Sequence, residues 1–184
     1  MTQEAASGQM IPAWVDGALV PCDKLDVHQR GLRHPAVSVF VCHGDRLLMQ
    51  QRALGKYHTP GLWANTCCTH PLWGEDPADC AVRRLGQELG LTGLAPDWRQ
   101  QIEYRADVGG GLTEHEVVEV YLARVPAPVA LNPDPAEVMA TRWIALPDLH
   151  AEIAAQPERF TPWLLIYLER YATSIFGPDQ SGSE

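Results

Sequence analysis

Residues 36–53 read AVSVFVCHGDRLLMQQRA, two β-branched or apolar runs joined by His43, Gly44 and Asp45, and the pattern predicts a hairpin. From Pro77 to Leu89 the period lengthens to that of a helix. Asp76 can cap it, Pro77 suits its first turn and Gly90 can end it. Ala78, Ala81, Val82, Leu85 and Leu89 form the predicted apolar stripe, with Arg84 and Glu88 adjacent at i and i+4. Further strands are expected over 101–106, 114–124 and 138–144, with a short helix after Pro147 and a longer one after Pro162. Strands on both sides of a central helix predict a layered α/β (α+β) fold, a mixed sheet between helices.

Parity sorts the reactive side chains. In an extended chain neighbours point to opposite faces, so in NTCCTH, residues 65–70, Cys68 and His70 share a face and Cys67 looks away. In TEHEVVEVY, residues 113–121, Glu114 and Glu116 share a face and His115 does not. Two carboxylates on one strand face, met by a histidine, can hold a hard divalent metal; the same residues can equally be a solvated strand face and a packed turn.

Composition narrows the class. A chain of 184 residues, 46% hydrophobic, is expected to form one domain, with a core over about 24–166 and fraying at 1–10 and in the polar tail 177–184. No internal repeat is visible. A formal net charge of -9 argues against nucleic acid or an anionic membrane as partner, while a small anionic substrate is compatible with locally clustered basic residues. No apolar run approaches the roughly 20 residues that span a bilayer, and the first residues, MTQEAASGQMIP, lack a signal pattern, so a cytoplasmic location is expected. Five cysteines make no disulfide framework, and Cys22, Cys42 and Cys80 read as packing residues. Zinc-finger spacing is absent, and so is a G-x-G-x-x-G fingerprint, which argues against flavin or nicotinamide.

The helix region carries part of a Nudix signature, in which a loop and helix present glutamates to magnesium and so to a diphosphate. Glu75, Arg83, Glu88, Gly90 and Leu91 fit it; Thr69 stands at its opening glycine, and Arg84 and Gln87 replace two glutamates. Losing those carboxylates weakens metal-driven water activation, while Arg84 adds a guanidinium for phosphate oxygens.

More specific is a set of motifs in order: QRALGKYHTPGLW, NTCCTHP, YRAD followed by EHE, and FTPW. Together they resemble the type 1 isopentenyl-diphosphate isomerases, over about Lys24 to Trp163. The resemblance implies a Nudix-like fold and conversion of isopentenyl diphosphate to dimethylallyl diphosphate, a step of isoprenoid biosynthesis; a monomer or weak homodimer is expected. It implies Cys68 as the catalytic thiol, Glu116 as its acid/base partner, Tyr104 hydrogen-bonded to that glutamate, and Trp163 as a cation-stabilising ring. It implies a divalent metal (manganese, zinc or magnesium) on His28, His34, His70, Glu114 and Glu116, with magnesium on Glu88 bridging to the diphosphate. Lys24, Arg52, Lys56 and Arg84 would cradle that diphosphate.

The chemistry fits these residue types. Protonating an unactivated alkene creates a tertiary carbocation, so the site needs an acid on one face, a base on the other and no water. A metal-bound carboxyl supplies acidity and a thiol is a compact base; an aromatic face stabilises a desolvated cation by up to about 2 kcal/mol. A Nudix pyrophosphohydrolase and a metal-stabilised binding domain without catalysis remain the alternatives.

Overall fold

A computed structural model describes residues 8–178. The chain opens with a hairpin, β1 (Met10–Val15) and β2 (Ala18–Asp23), turned by Asp16 and Gly17, both at positive φ. An Asp-Gly pair between strands is a strong short-range hairpin signal. Asp23 then caps the short helix α1 (Lys24–Arg30) by accepting from the amides of Leu25 and Asp26, and Gly31 ends it in the left-handed region. None of these three elements follows from the longer periodic runs.

The main sheet is mixed. In β3 (His34–His43) and β4 (Arg46–Arg52) the expected hairpin is present, but it stays paired for only two rungs, Cys42 with Leu47 and His43 with Arg46. The strands then part. β4 takes β5 (Trp63–Ala64) and β9 (Val138–Ala145) as partners, while β3 pairs with β6 (Cys67–Thr69) on one side and runs parallel to β8 (Leu112–Arg124) on the other. β7 (Asp97–Gly109) completes an antiparallel edge on β8. Both β7 and β8 are 13 residues long, so the run expected at 101–106 extends at both ends.

Helices cover both faces. On one, α2 (Pro77–Leu89) packs on Val37, Val39, Val41 and Cys67. On the other lie α3 (Leu146–Ala155), α4 (Pro162–Arg170) and α5 (Ala172–Phe176), against Phe40, Leu47, Val118 and Val120. The alternation of Val37, Val39 and Val41 with Ala36, Phe40 and Cys42 lets one strand serve both cores. The layered α/β expectation holds.

Two helical expectations need correction. Ala78 and Val82 are exposed; the buried stripe of α2 is Ala81, Leu85 and Leu89, joined by Cys80 and Glu88, so it is rotated toward the side that carries the ion-paired glutamate. After Pro162 the helix is not the longer one. It stops at Arg170, where Tyr171 leaves helical geometry, and resumes as the five residues of α5, whereas α3 has ten. Of the ends expected to fray, 1–7 and 179–184 lie outside the described residues. Met10 already pairs with Asp23, and the carbonyl of Gly177 accepts from Arg99 at 2.8 Å. No helix among the described residues is long and apolar enough to cross a membrane.

Candidate active site and metal centre

β3 organises the site because its two partners flank it: Cys68 of β6 sits opposite Ser38, and Glu116 of β8 sits opposite His34. Side chains from both flanks line a cleft on the face toward α4, together with Tyr104, Trp163 and the four expected cations Lys24, Arg52, Lys56 and Arg84. Parity works as read: Cys67 is fully buried on the α2 side, and His115 turns outward to Glu103 at 3.2 Å.

Four buried residues from four segments converge: His28 of α1, His34 of β3, His70 after β6 and Glu114 of β8 place one ligand atom each within 4.8 Å of one another. Their hydrogen bonds show what they fit. His28 Nδ1 meets the carbonyl of Lys24 at 2.6 Å and His34 Nδ1 meets that of Leu32 at 2.7 Å, so in the neutral rings Nδ1 carries the hydrogen and Nε2 offers a lone pair. Those lone pairs face Glu114 Oε2 at 3.0 and 3.4 Å, and His34 Nε2 lies 3.1 Å from His70 Nε2. Glu114 Oε2 is buried without a hydrogen-bond partner. Acceptors facing acceptors in a buried pocket fit a divalent cation.

Glu116 stands at the edge of this group, with Oε1 3.1 Å from His70 Nε2 and Oε2 accepting from Tyr104 at 2.6 Å. Burial, and then the neighbouring Glu114, push its carboxyl well above the usual range. For His70, burial and the charge of Lys24 disfavour the protonated ring.

Cys68 is half-buried. Sγ donates to Asn65 Oδ1 at 2.9 Å and lies 3.0 Å from Ser38 Oγ. Burial pushes the thiol up to about 12, against the lowering effect of the Ser38 contact. Trp163 is buried, its Nε1 lacks a partner, and the Arg52 guanidinium stands over its ring at 5.2 Å.

Lys56 and Arg84 are matched to carboxylates within the fold. Lys56 pairs with Glu137, which also accepts from Arg84 at 3.3 Å. Arg84 donates to Glu88 Oε1 at 2.6 Å, and Gln50 donates to Glu88 Oε2 at 3.1 Å. Glu88 is thus committed to Arg84 and Gln50 and stands outside the group of four. Lys24 is buried, which with Lys56 and Arg84 nearby lowers its pKa to about 8. Sequence reasoning missed Ser38, Asn65, His58 and Glu137. Asn65 lies inside the NTCCTH motif and His58 inside QRALGKYHTPGLW, whereas Ser38 and Glu137 carried no local signal.

Residues 32–164 match the family model of the NUDIX domain, and the fold is of that class. A solved protein of Deinococcus radiodurans shares it, with a TM-score of 0.62 at 17% identity over 74% of this chain and 81% of that one. At the level of sequence, the isopentenyl-diphosphate Delta-isomerase of Cereibacter sphaeroides is 62% identical over 92% of this chain and 96% of its own length. That of Ruegeria pomeroyi is 61% identical over 94% and 96%. The chain belongs to the isopentenyl-diphosphate Delta-isomerase family of NUDIX proteins.

Proposed function

We propose that this chain isomerises isopentenyl diphosphate to dimethylallyl diphosphate by adding a proton to one face of the alkene and removing one from the other. The observation that carries the reading is the meeting of a half-buried thiol, Cys68, and a buried carboxyl, Glu116, in one cleft that also gathers Lys24, Arg52, Lys56, Arg84 and Trp163. Glu116, hydrogen-bonded from Tyr104, gives the proton that makes the tertiary cation. Cys68, reached from the opposite flank of β3, takes the proton released from the adjacent carbon. To act as base the thiol must first lose its own proton, and the Ser38 hydroxyl, 3.0 Å from Sγ, can donate to the thiolate and offset part of what burial costs it.

His28, His34, His70 and Glu114, with Glu116 at their edge, would hold a divalent metal, which when bound supplies Lewis acidity beside the Glu116 carboxyl. Lys24, Arg52, Lys56 and Arg84 bind and orient the diphosphate, Lys56 and Arg84 exchanging Glu137 and Glu88 for its oxygens. Glu88 is the candidate for magnesium at the diphosphate. The Trp163 ring excludes water and offers its face to the cation.

The test is incubation with isopentenyl diphosphate, magnesium and manganese in heavy water. Dimethylallyl diphosphate carrying deuterium, without phosphate release, is expected. Phosphate release without isomerised product would mean a hydrolase, and isomerised product free of deuterium after many turnovers would remove solvent-exchanging acid and base groups from the account.

A further inference from the structure

One imidazole in the cleft belongs to neither the four-residue group nor the alkene chemistry. His58, in the segment after β4, is buried and has Nε2 2.9 Å from Glu114 Oε1. Its Nδ1 faces donors, the Thr59 hydroxyl at 3.0 Å and an Arg52 nitrogen at 3.5 Å. A neutral imidazole that accepts at Nδ1 carries its hydrogen on Nε2, so His58 donates to Glu114. His28 and His34 have the opposite tautomer and present lone pairs to Glu114 Oε2. The two oxygens of one carboxylate thus divide their work: one accepts a hydrogen bond, the other faces bare nitrogens.

A second observation singles out the same spot. Thr59, whose hydroxyl sets this tautomer, has φ +46°, a region that β-branched residues rarely occupy. Arg52 holds it there, donating Nε to the Thr59 carbonyl at 3.2 Å and a terminal nitrogen to the His58 carbonyl at 3.1 Å. Strain of this kind persists where the surroundings over-determine it.

We infer that His58 is a positioning residue: it holds Glu114 by Oε1 so that Oε2 stays turned toward His28, His34 and His70 for a divalent cation, with Thr59 fixing the His58 tautomer. The inference rests on the metal reading of that group. Outer partners of metal-ligating groups typically contribute about 10–100-fold in metal affinity, and because Arg52 also lines the diphosphate end, the same segment ties the carboxylate to the cradle.

The experiment titrates chelator-treated full-length protein with Mn²⁺, comparing the wild type with His58→Phe, His58→Gln, Thr59→Val and Thr59→Ser, with circular dichroism and thermal unfolding of each apo form as the control for folding. His58→Phe and Thr59→Val are expected to bind about 10–100-fold more weakly. His58→Gln keeps a side-chain N–H near the Nε2 position and Thr59→Ser keeps the hydroxyl, so both should remain close to wild type. Wild-type affinity in His58→Phe overturns the inference, as does an equal loss in His58→Phe and His58→Gln, which would mark a purely structural role. If His58→Phe fails to fold, the Thr59 pair decides alone: equal affinities in Val and Ser overturn the inference. A wild type that takes up no Mn²⁺ overturns the metal reading and this inference with it.

Discussion

Cys67 and Cys68 are covalent neighbours with opposite surroundings. Cys67 is fully buried against α2 among Val37, Val39 and Leu85, whereas Cys68 opens on the cleft and is gripped by Asn65 and Ser38. Asn65 can grip because its own amide nitrogen is committed to the carbonyls of Val39 and Cys67, at 3.0 and 3.2 Å. Cys68→Ala should therefore lower kcat by about 10²–10⁴-fold, the usual range for removing a general acid or base. Cys67→Ala should keep most of the turnover and lose about 1 kcal/mol of stability. Steady-state kinetics and urea unfolding of both variants check this; equal kinetic losses would reject the assignment. This division was legible in the sequence, because strand parity needs only the local chain. His58 was not, since its meaning comes from Glu114 on a strand 56 positions later, and nothing in YHTP announces that contact.

Among the elements, α2 was the most legible and the loop that caps it the least. Asp76, Pro77 and Gly90 mark the ends of α2 in the sequence, and the structure places them there. The stripe was misread by a small rotation, because Glu88 counts as polar in any pattern and yet is buried against Arg84 and Gln50. Beyond α2, the loop before β9 closes the helix C-terminus: the amides of Asn132 and Asp134 donate to the carbonyls of Leu89 and Glu88, both at 2.9 Å. The same loop delivers Glu137 to Lys56 and Arg84. Burial would raise the Glu137 carboxyl, but Lys56, and after it Arg84, outweigh burial and bring it to about 2. A carboxyl near 4.3 in the unfolded chain and lower in the fold stabilises the protein above the unfolded value, and that stability is lost as pH falls toward 2. With the Glu137 side chain 12% exposed, the contribution is on the order of 3 kcal/mol. Glu137→Gln should be less stable at pH 7 and show a shallower loss of stability between pH 4.5 and 2, read by urea unfolding across that range.

Across the whole molecule, charge is segregated. A chain of formal net charge -9 gathers Lys24, Arg52, Lys56 and Arg84 around one cleft, so the composition that argued against nucleic acid does not argue against a diphosphate. The segregation also explains why the cradle was legible only through the motif resemblance: the four cations come from α1, β4, the segment after it and α2, and no local run of the chain is basic. Packing is divided too. Two large cores flank the main sheet, while β1, β2 and α1 have a small core of their own, Ile11, Ala13 and Val27.

That N-terminal layer meets the ligand group through one side chain, His28, which comes from the least deeply rooted part of the fold. Its position turns a coordination shell into a clasp: a cation shared by His28 and Glu114 fastens the first helix to the sheet, and taking the cation away leaves two acceptors pushing against each other at 3.0 Å. Trypsin should read the difference. Arg30 and Arg33 flank Gly31 with side chains 52% and 37% exposed, and chelation should make this stretch the first cut. His28→Ala should be cut there even with manganese present. An unchanged cleavage order on chelation would show that the layer holds without the clasp; a changed one would make a gel band a gauge of metal loading, readable with no substrate in the tube.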